Sequence, residues 1–312
     1  MNVEASKFRG IIVATNSCYD ADGEVSPAAL KRLVRFLIGK GVRGIYLGGS
    51  TGEGLLQSVE ERKRMLEAAI EECKGEIAVI AHIGAINTRD SIELAKHAEQ
   101  AGADAISAVP PFYYGHSQQA VKKHWTAIMD SARLPFIIYH IPSTTGFRLS
   151  ASLLREIIEN PQVIGVKASS GNTYELERFK EIGGPDFLVF NGSDEQYLAG
   201  RVMGADAGIG GTYGAMPELF VRLERLYAAG RLGEAQKLQT EINGIISDML
   251  SIPIHFGVIE GAFLRLRGLD CGSVRPPMEE VSDGMRSQVA EIHDKIMRLV
   301  AENERTGGTT AE

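Results

Sequence analysis

Eight short apolar runs punctuate the first two thirds of the chain, opening near Ile11, Ile45, Ala78, Ala105, Pro135, Val163, Phe187 and Ala207. They read IIVAT, IYLGG, AVIAHIG, AISAVPP, FIIYHIP, VIGVKASS, FLVFNG and AGIGGTY, rich in branched side chains and mostly free of polar alternation. Strands buried on both faces have this character, so the runs predict a parallel sheet. Between them the spacing becomes helical and carries end signals. Ser26 and Pro27 supply an N-cap and a first-turn proline, and Ser58 with Glu61 forms a capping box. Thr88, Ser117 and Ser150 are placed to cap helices over 89–101, 118–132 and 151–159. The strings Gly102-Ala-Asp104 and Gly204-Ala-Asp206 suggest a repeated helix-to-strand connection. Strand and helix alternating eight times predict an α/β chain folded as a (β/α)8 TIM barrel over residues 1–230. Beyond Tyr213 the pattern is helical throughout, one helix completing the barrel and the rest forming a C-terminal helical extension over 231–312. The closing TGGTTAE is small and polar and is expected to fray.

Length alone leaves the architecture open, because 312 residues suit two average domains or one barrel with additions. The strand pattern decides for the barrel. Charge narrows the function: 33 Lys and Arg against 40 Asp and Glu give a net charge of −7, with no basic run, which argues against a nucleic-acid partner. No apolar stretch approaches the roughly 20 residues of a membrane span, and MNVEASKFRG lacks a signal-peptide core, so no membrane partner and a cytoplasmic protein are expected. Cys18, Cys73 and Cys271 lie far apart and read as free thiols, and the histidines are scattered, so no metal site is expected. Asp20-Ala-Asp22-Gly-Glu24 opens like a calcium loop, but Val25 and Lys31 stand where Gly and Glu are required, leaving a surface turn.

A barrel of this kind keeps its active site at the carboxyl ends of the strands. Lys167 follows Val163-Ile-Gly-Val166, so a lysine closes a buried strand where an unpaired ammonium is costly. Burial lowers a lysine pKa toward the neutral amine that Schiff-base chemistry requires; a lysine reaching the rim or paired with a carboxylate is the alternative. Tyr139 occupies the same place on the preceding strand, where a phenol could relay a proton or simply be an interior tyrosine with a satisfied hydroxyl. Gly48-Gly49-Ser50-Thr51-Gly52-Glu53 lacks the Lys-Ser of a Walker loop, and offers either a bare turn or a cradle of N–H and hydroxyl groups for a small carboxylate. Gly208-Ile-Gly210-Gly211-Thr212 ends the eighth run where many barrels bind phosphate. Asp194 and Glu195 either begin a helix or accept hydrogen bonds from a polyol.

Taken in order, GGSTGE, YHIPSTTG, GVKASSG, FNGSDE and GIGGTYG on successive strand ends resemble the pyruvate-dependent class I aldolases that include N-acetylneuraminate lyase and dihydrodipicolinate synthase. The resemblance spans roughly residues 8–300. It implies that Lys167 forms an imine with a 2-keto acid, that Tyr139 donates and accepts the proton, and that Ser50 and Thr51 bind the substrate carboxylate. It implies further substrate contacts at Ser169, Gly192, Asp194, Glu195 and Gly211. Tyr113, in PPFYYG beside Tyr114, is similar to the tyrosine this family lends across a subunit interface, which implies a homotetramer. Synthases carry an arginine where Thr144 stands, and a hydroxyl cannot replace a guanidinium grip. The lyase branch is therefore expected: reversible cleavage of a 2-keto sugar acid, N-acetylneuraminate, to N-acetylmannosamine and pyruvate, with no cofactor. The alternative is the synthase reaction or another 2-keto acid aldolase or dehydratase. Three departures stand out, Gly211 for the lyase serine, Ser193 for an aromatic, and His140 for the usual Asn.

Overall fold

The computed structural model describes residues 4–307. Eight parallel strands close into a barrel in sequence order: β1 (Gly10–Ala14), β2 (Gly44–Leu47), β3 (Ala78–His82), β4 (Ala105–Ala108), β5 (Phe136–His140), β6 (Val163–Ala168), β7 (Leu188–Asn191) and β8 (Ala207–Gly210), with β8 pairing β1. Each begins within a residue of the apolar run that predicts it. The barrel helices are α1 (Pro27–Gly39), α2 (Val59–Cys73), α3 (Thr88–Ala101), α4 (Gln118–Met129), α5 (Pro142–Thr145), α6 (Ala151–Ile157), α7 (Thr173–Gly183), α8 (Tyr197–Val202) and α9 (Pro217–Ala228). Three more follow, α10 (Leu232–Leu250), α11 (Phe256–Leu266) and α12 (Asp283–Gly307). Thr306 and Gly307 of the expected frayed tail continue α12, and residues 308–312 lie outside the described residues.

Two apolar layers hold the barrel. Ile12, Tyr46, Ile80, Ile137, Leu188, Phe190 and Ile209 fill its interior, while alternate residues such as Val13, Ile45, Val79, Ile138 and Val189 meet the helices. Burial on both faces explains why the runs do not alternate with polar residues. Phe8, from a short 3-10 turn over Ala5–Phe8, joins the interior layer beside the start of β1.

Helix starts follow the predicted caps, with one correction. Ser26, Ser58, Ser117 and Ser150 each accept a backbone N–H, and Ser58 and Glu61 complete their box. The third helix is capped by Asn87 through Asp90 N–H, not by Thr88, whose hydroxyl turns to His124 Nδ1 at 2.9 Å. Helices α4 and α6 end two or three residues early, at Met129 and Ile157, ahead of turns into the next strands. The two Gly-Ala-Asp strings are the same device: Asp104 accepts Val79 N–H at 2.8 Å and Asp206 accepts Val189 N–H at 3.0 Å, each tying a strand to its neighbour's start. The 20–24 segment is a turn in which Asp20 Oδ1 accepts the N–H groups of Asp22 and Glu24. Among the described residues no group of three or more His, Cys, Asp or Glu could hold a metal ion, and no helix is long and apolar enough to cross a membrane. Cys18 and Cys271, 253 positions apart in sequence, meet side chain to side chain in the fold as free, buried thiols.

Candidate active site

Tyr139 and Lys167 are register partners on β5 and β6, so in a parallel ladder both side chains leave the sheet on one face, here the interior. A bulge between Phe136 and Ile137 inserts Ile164 into β6, and the register after it sets Gly165 opposite Ile137 and Lys167 opposite Tyr139. Gly165 is required there because a Cβ would run into the Leu188 carbonyl of β7.

Lys167 is 4% exposed, and its Nζ lies 4.0 Å from the Tyr139 ring centroid and 4.5 Å from that of Tyr46. Tyr46, His82 and Tyr139 form an aromatic wall, each pair of ring centroids 5.8–5.9 Å apart. Among the described residues no carboxylate pairs with the lysine, which is buried and does not reach the rim, so this is neither of the alternatives the sequence allows. Burial by itself would raise the Tyr139 phenol, but the charge of Lys167 and hydrogen bonds from Ser50, Lys167 and Ser169 together outweigh it and hold the phenol below its ordinary pKa. Ser50 reaches it from the turn after β2 and Ser169 from the end of β6.

Three supporting residues lie outside the candidates read from the sequence. Tyr46 sits in mid-strand and donates to Ser107 Oγ at 3.0 Å; burial drives its pKa well up, so it is a neutral phenol. His82 closes β3, with Nδ1 2.9 Å from the Gly48 carbonyl and Nε2 3.4 Å from Val109 N–H, so the proton belongs on Nδ1. Burial, with the nearby Arg62 charge, pushes its pKa down to about 3. Arg62 of α2 donates to the carbonyls of His82 and Gly84 at 2.6 and 2.9 Å, tying the end of β3 to α2 while His82 itself reaches the Gly48 carbonyl. The signal for Tyr46 and His82 is two-residue periodicity, which gives Tyr46, like Gly44, and His82, like Ala78 and Ile80, inward parity; Arg62, on a helix, has no such signal.

The remaining candidates divide. Thr51 is 6% exposed, and its Oγ1 lies beside Gly211, where a Cβ would meet it and the Phe256 ring of α11. Phe256 thus occupies the space a serine at 211 would need, which gives that departure a physical reason. Gly192 packs so tightly on Ser169 Oγ and the Ala168 carbonyl that no side chain fits. Asp194 Oδ2 accepts both the N–H and hydroxyl of Thr212 at 2.7 Å, joining the ends of β7 and β8, and burial lifts its pKa to about 6. Its other oxygen has no hydrogen-bond partner among the described residues. Glu195 is exposed and borders a groove between α8 and α10, apart from its neighbour. Tyr113 is 85% exposed at φ 77°, its ring edge-on to Tyr114 at 5.1 Å, and among the described residues no contact joins it to Tyr139. His140, adjacent to Tyr139 and so of opposite parity, faces away from the interior and packs on Phe179 and Glu175 of α7, leaving the barrel mouth untouched.

The Dihydrodipicolinate synthetase family matches residues 7–296. An N-acetylneuraminate lyase of Mediterraneibacter gnavus is 43% identical over 292 residues, 93% of each chain. The solved wild-type sialic acid aldolase of Ruminococcus gnavus superposes with a TM-score of 0.93 at 41% identity, covering 95% of this chain and 99% of that one. A Clostridium difficile protein solved in complex with mannosamine gives a TM-score of 0.88 at 35% identity over 92% and 99% of the two chains.

Proposed function

This chain belongs to the dihydrodipicolinate synthetase family, and from that premise we propose that it is a class I aldolase cleaving N-acetylneuraminate to N-acetylmannosamine and pyruvate. The observation that carries the chemistry is the buried Lys167 set in register with Tyr139, its Nζ 4.0 Å from the phenol ring and unpaired with any carboxylate. The lyase relatives, and the neutral Thr144 exposed on α5, support the substrate.

Lys167 attacks the keto carbon of the open-chain sugar acid, water leaves, and the resulting iminium accepts the electron pair of the breaking C3–C4 bond. Tyr139, whose lowered pKa makes the phenolate accessible, removes the C4 hydroxyl proton as the aldehyde of N-acetylmannosamine forms. The enamine then takes a proton at C3 and hydrolyses, releasing pyruvate and the lysine. Ser50 and Thr51 hold the carboxylate, while Ser169, Gly192, Asp194 and Gly211 line the path of the hydroxylated tail; Glu195, exposed on the groove between α8 and α10, stands outside it. Tyr113 completes the proton relay from a neighbouring subunit of a homotetramer; its exposure and left-handed backbone in the single chain support an interface role.

Borohydride reduction with pyruvate should add mass at Lys167, and a coupled assay should detect pyruvate released from N-acetylneuraminate. Lys167→Ala should lose both. An adduct on another lysine would remove the mechanism, and turnover only with pyruvate plus aspartate semialdehyde would transfer the chain to the synthase branch.

A further inference from the structure

His82, the histidine of the aromatic wall, closes β3 and is 5% exposed. Both of its ring nitrogens are committed to backbone: Nδ1 donates to the Gly48 carbonyl at 2.9 Å, and Nε2 accepts Val109 N–H at 3.4 Å. Burial, with the Arg62 charge, pushes its pKa down to about 3, so at neutral pH the ring keeps one donor and one acceptor. The main chain around the ring is fixed as well. Arg62 donates to the His82 carbonyl at 2.6 Å, and a Cβ on Gly84 would stand 2.8 Å from Nε2. The imidazole is therefore held in one orientation, with its proton on Gly48.

Gly48 opens the turn that carries Ser50 and Thr51. Its φ of 71° is left-handed, which favours glycine, and a side chain at Gly54 would collide with its carbonyl. Glu53 N–H to the Ser50 carbonyl at 3.2 Å and Gly54 N–H to the Gly49 carbonyl at 3.3 Å close the turn on itself. Those bonds give the turn its shape, and its place on the barrel comes from outside. Ser17 holds the far end, donating to the Gly52 carbonyl at 2.5 Å, while His82 holds the near end from the adjoining strand. Ser50, two residues past Gly48, bonds the Tyr139 phenol, whose ring stands edge-on to His82 at 5.8 Å.

We propose that His82 is a positioning residue for the substrate carboxylate: its Nδ1–H fixes the Gly48 end of the turn, and with it the reach of Ser50 and Thr51 toward a 2-keto acid at Lys167. It acts through the turn and moves no proton, because both ring nitrogens are already bonded to backbone. The inference rests on the imine-forming reading of Lys167 and deepens it. Two replacements divide the two bonds. Asparagine carries its amide nitrogen on Cγ, where Nδ1 stands, so it can keep the Gly48 bond and lose that to Val109. Glutamine carries its polar atoms one bond further out, near the place of Nε2, and does the reverse.

The test compares His82→Asn and His82→Gln with the parent in the full chain. It measures the pyruvate concentration that half-saturates borohydride trapping at Lys167, the adduct formed at saturation, and amide hydrogen exchange over residues 49–54. His82→Gln should raise the half-saturating concentration about tenfold or more, leave the saturated adduct in place, and speed exchange of the turn. His82→Asn should return half-saturation to within about threefold of the parent and exchange to the parent's rate. Each variant leaves one buried backbone group unpaired, so a histidine serving only the core would lower both melting temperatures and split neither half-saturation nor exchange. His82→Leu, which offers no donor, carries the glutamine expectation should His82→Gln fail to fold. Equal half-saturation in the asparagine and glutamine variants, or turn exchange in His82→Gln as slow as in the parent, would overturn the proposal. An adduct missing from the parent would remove the imine reading, while the exchange contrast between the two variants would still decide whether His82 places the turn.

Discussion

Tyr139 shows how one side chain acquires its chemistry from several elements. Burial alone would make it a poor acid, and Lys167, Ser50 and Ser169 reverse that. Tyr139→Phe keeps the ring beside the lysine and removes the proton carrier, so turnover should fall by about 10²–10⁴ while borohydride still traps pyruvate at Lys167. Loss of trapping in parallel with turnover would instead assign the hydroxyl to imine formation. Glu260 of α11 shows the opposite environment: it is fully buried, both carboxylate oxygens lack hydrogen-bond partners among the described residues, and burial, with Asp194 nearby, drives its pKa well up. A carboxyl raised on folding binds its proton in the folded state where the unfolded chain has released it, so its contribution to stability falls as pH rises above the ordinary carboxylate value. The slope is about 1.4 kcal/mol per pH unit until the folded pKa is reached. Glu260→Gln lacks that slope, and urea unfolding of the two proteins at pH 5 and pH 8 should show the variant gaining relative to the parent at the higher pH. At residue scale the sequence exposes Lys167, because an ammonium in an apolar run is conspicuous. It hides Glu260, because a glutamate on an amphipathic helix looks like any solvated one.

Among the elements, strands and caps were legible because each is specified by neighbours in sequence. The α2 box is an example: Ser58 accepts Glu61 N–H at 3.3 Å and Glu61 returns to Ser58 N–H at 2.7 Å. Glu61 also receives Arg275 from the C-terminal segment at 2.7 Å, which pulls its pKa down to about 2. Ser58→Ala should cost about 1 kcal/mol in chemical denaturation, the helix keeping its Glu61–Arg275 link. The Thr88 cap failed for a tertiary reason: Asn87 competes for the same N-terminus, and His124 on α4 offers the threonine hydroxyl a partner that no local rule contains. The short α5 and the bulge in β6 were also invisible, since both answer to barrel closure.

The whole molecule decides what the site contains. The single chain assembles Lys167, Tyr139, Ser50 and Ser169 but leaves Tyr113 exposed and strained at φ 77°. If a neighbouring subunit receives it, sedimentation should show a tetramer, and Tyr113→Phe should lower kcat about tenfold or more without changing the assembly; a monomer with full activity would contradict the interface role. The chain's own sequence determined eight doubly buried strands, the helices between them and a lysine at a strand end, because hydrophobic period, capping and the cost of a buried charge are written locally. Tertiary structure alone decided that Tyr46 and His82 wall the lysine, that Asp194 turns to Thr212 while Glu195 turns outward, and that Phe256 claims the space beside Gly211. Those outcomes depend on barrel register and on a helix arriving from more than 40 residues downstream of β8, and packing over such distances is settled only when the layers close.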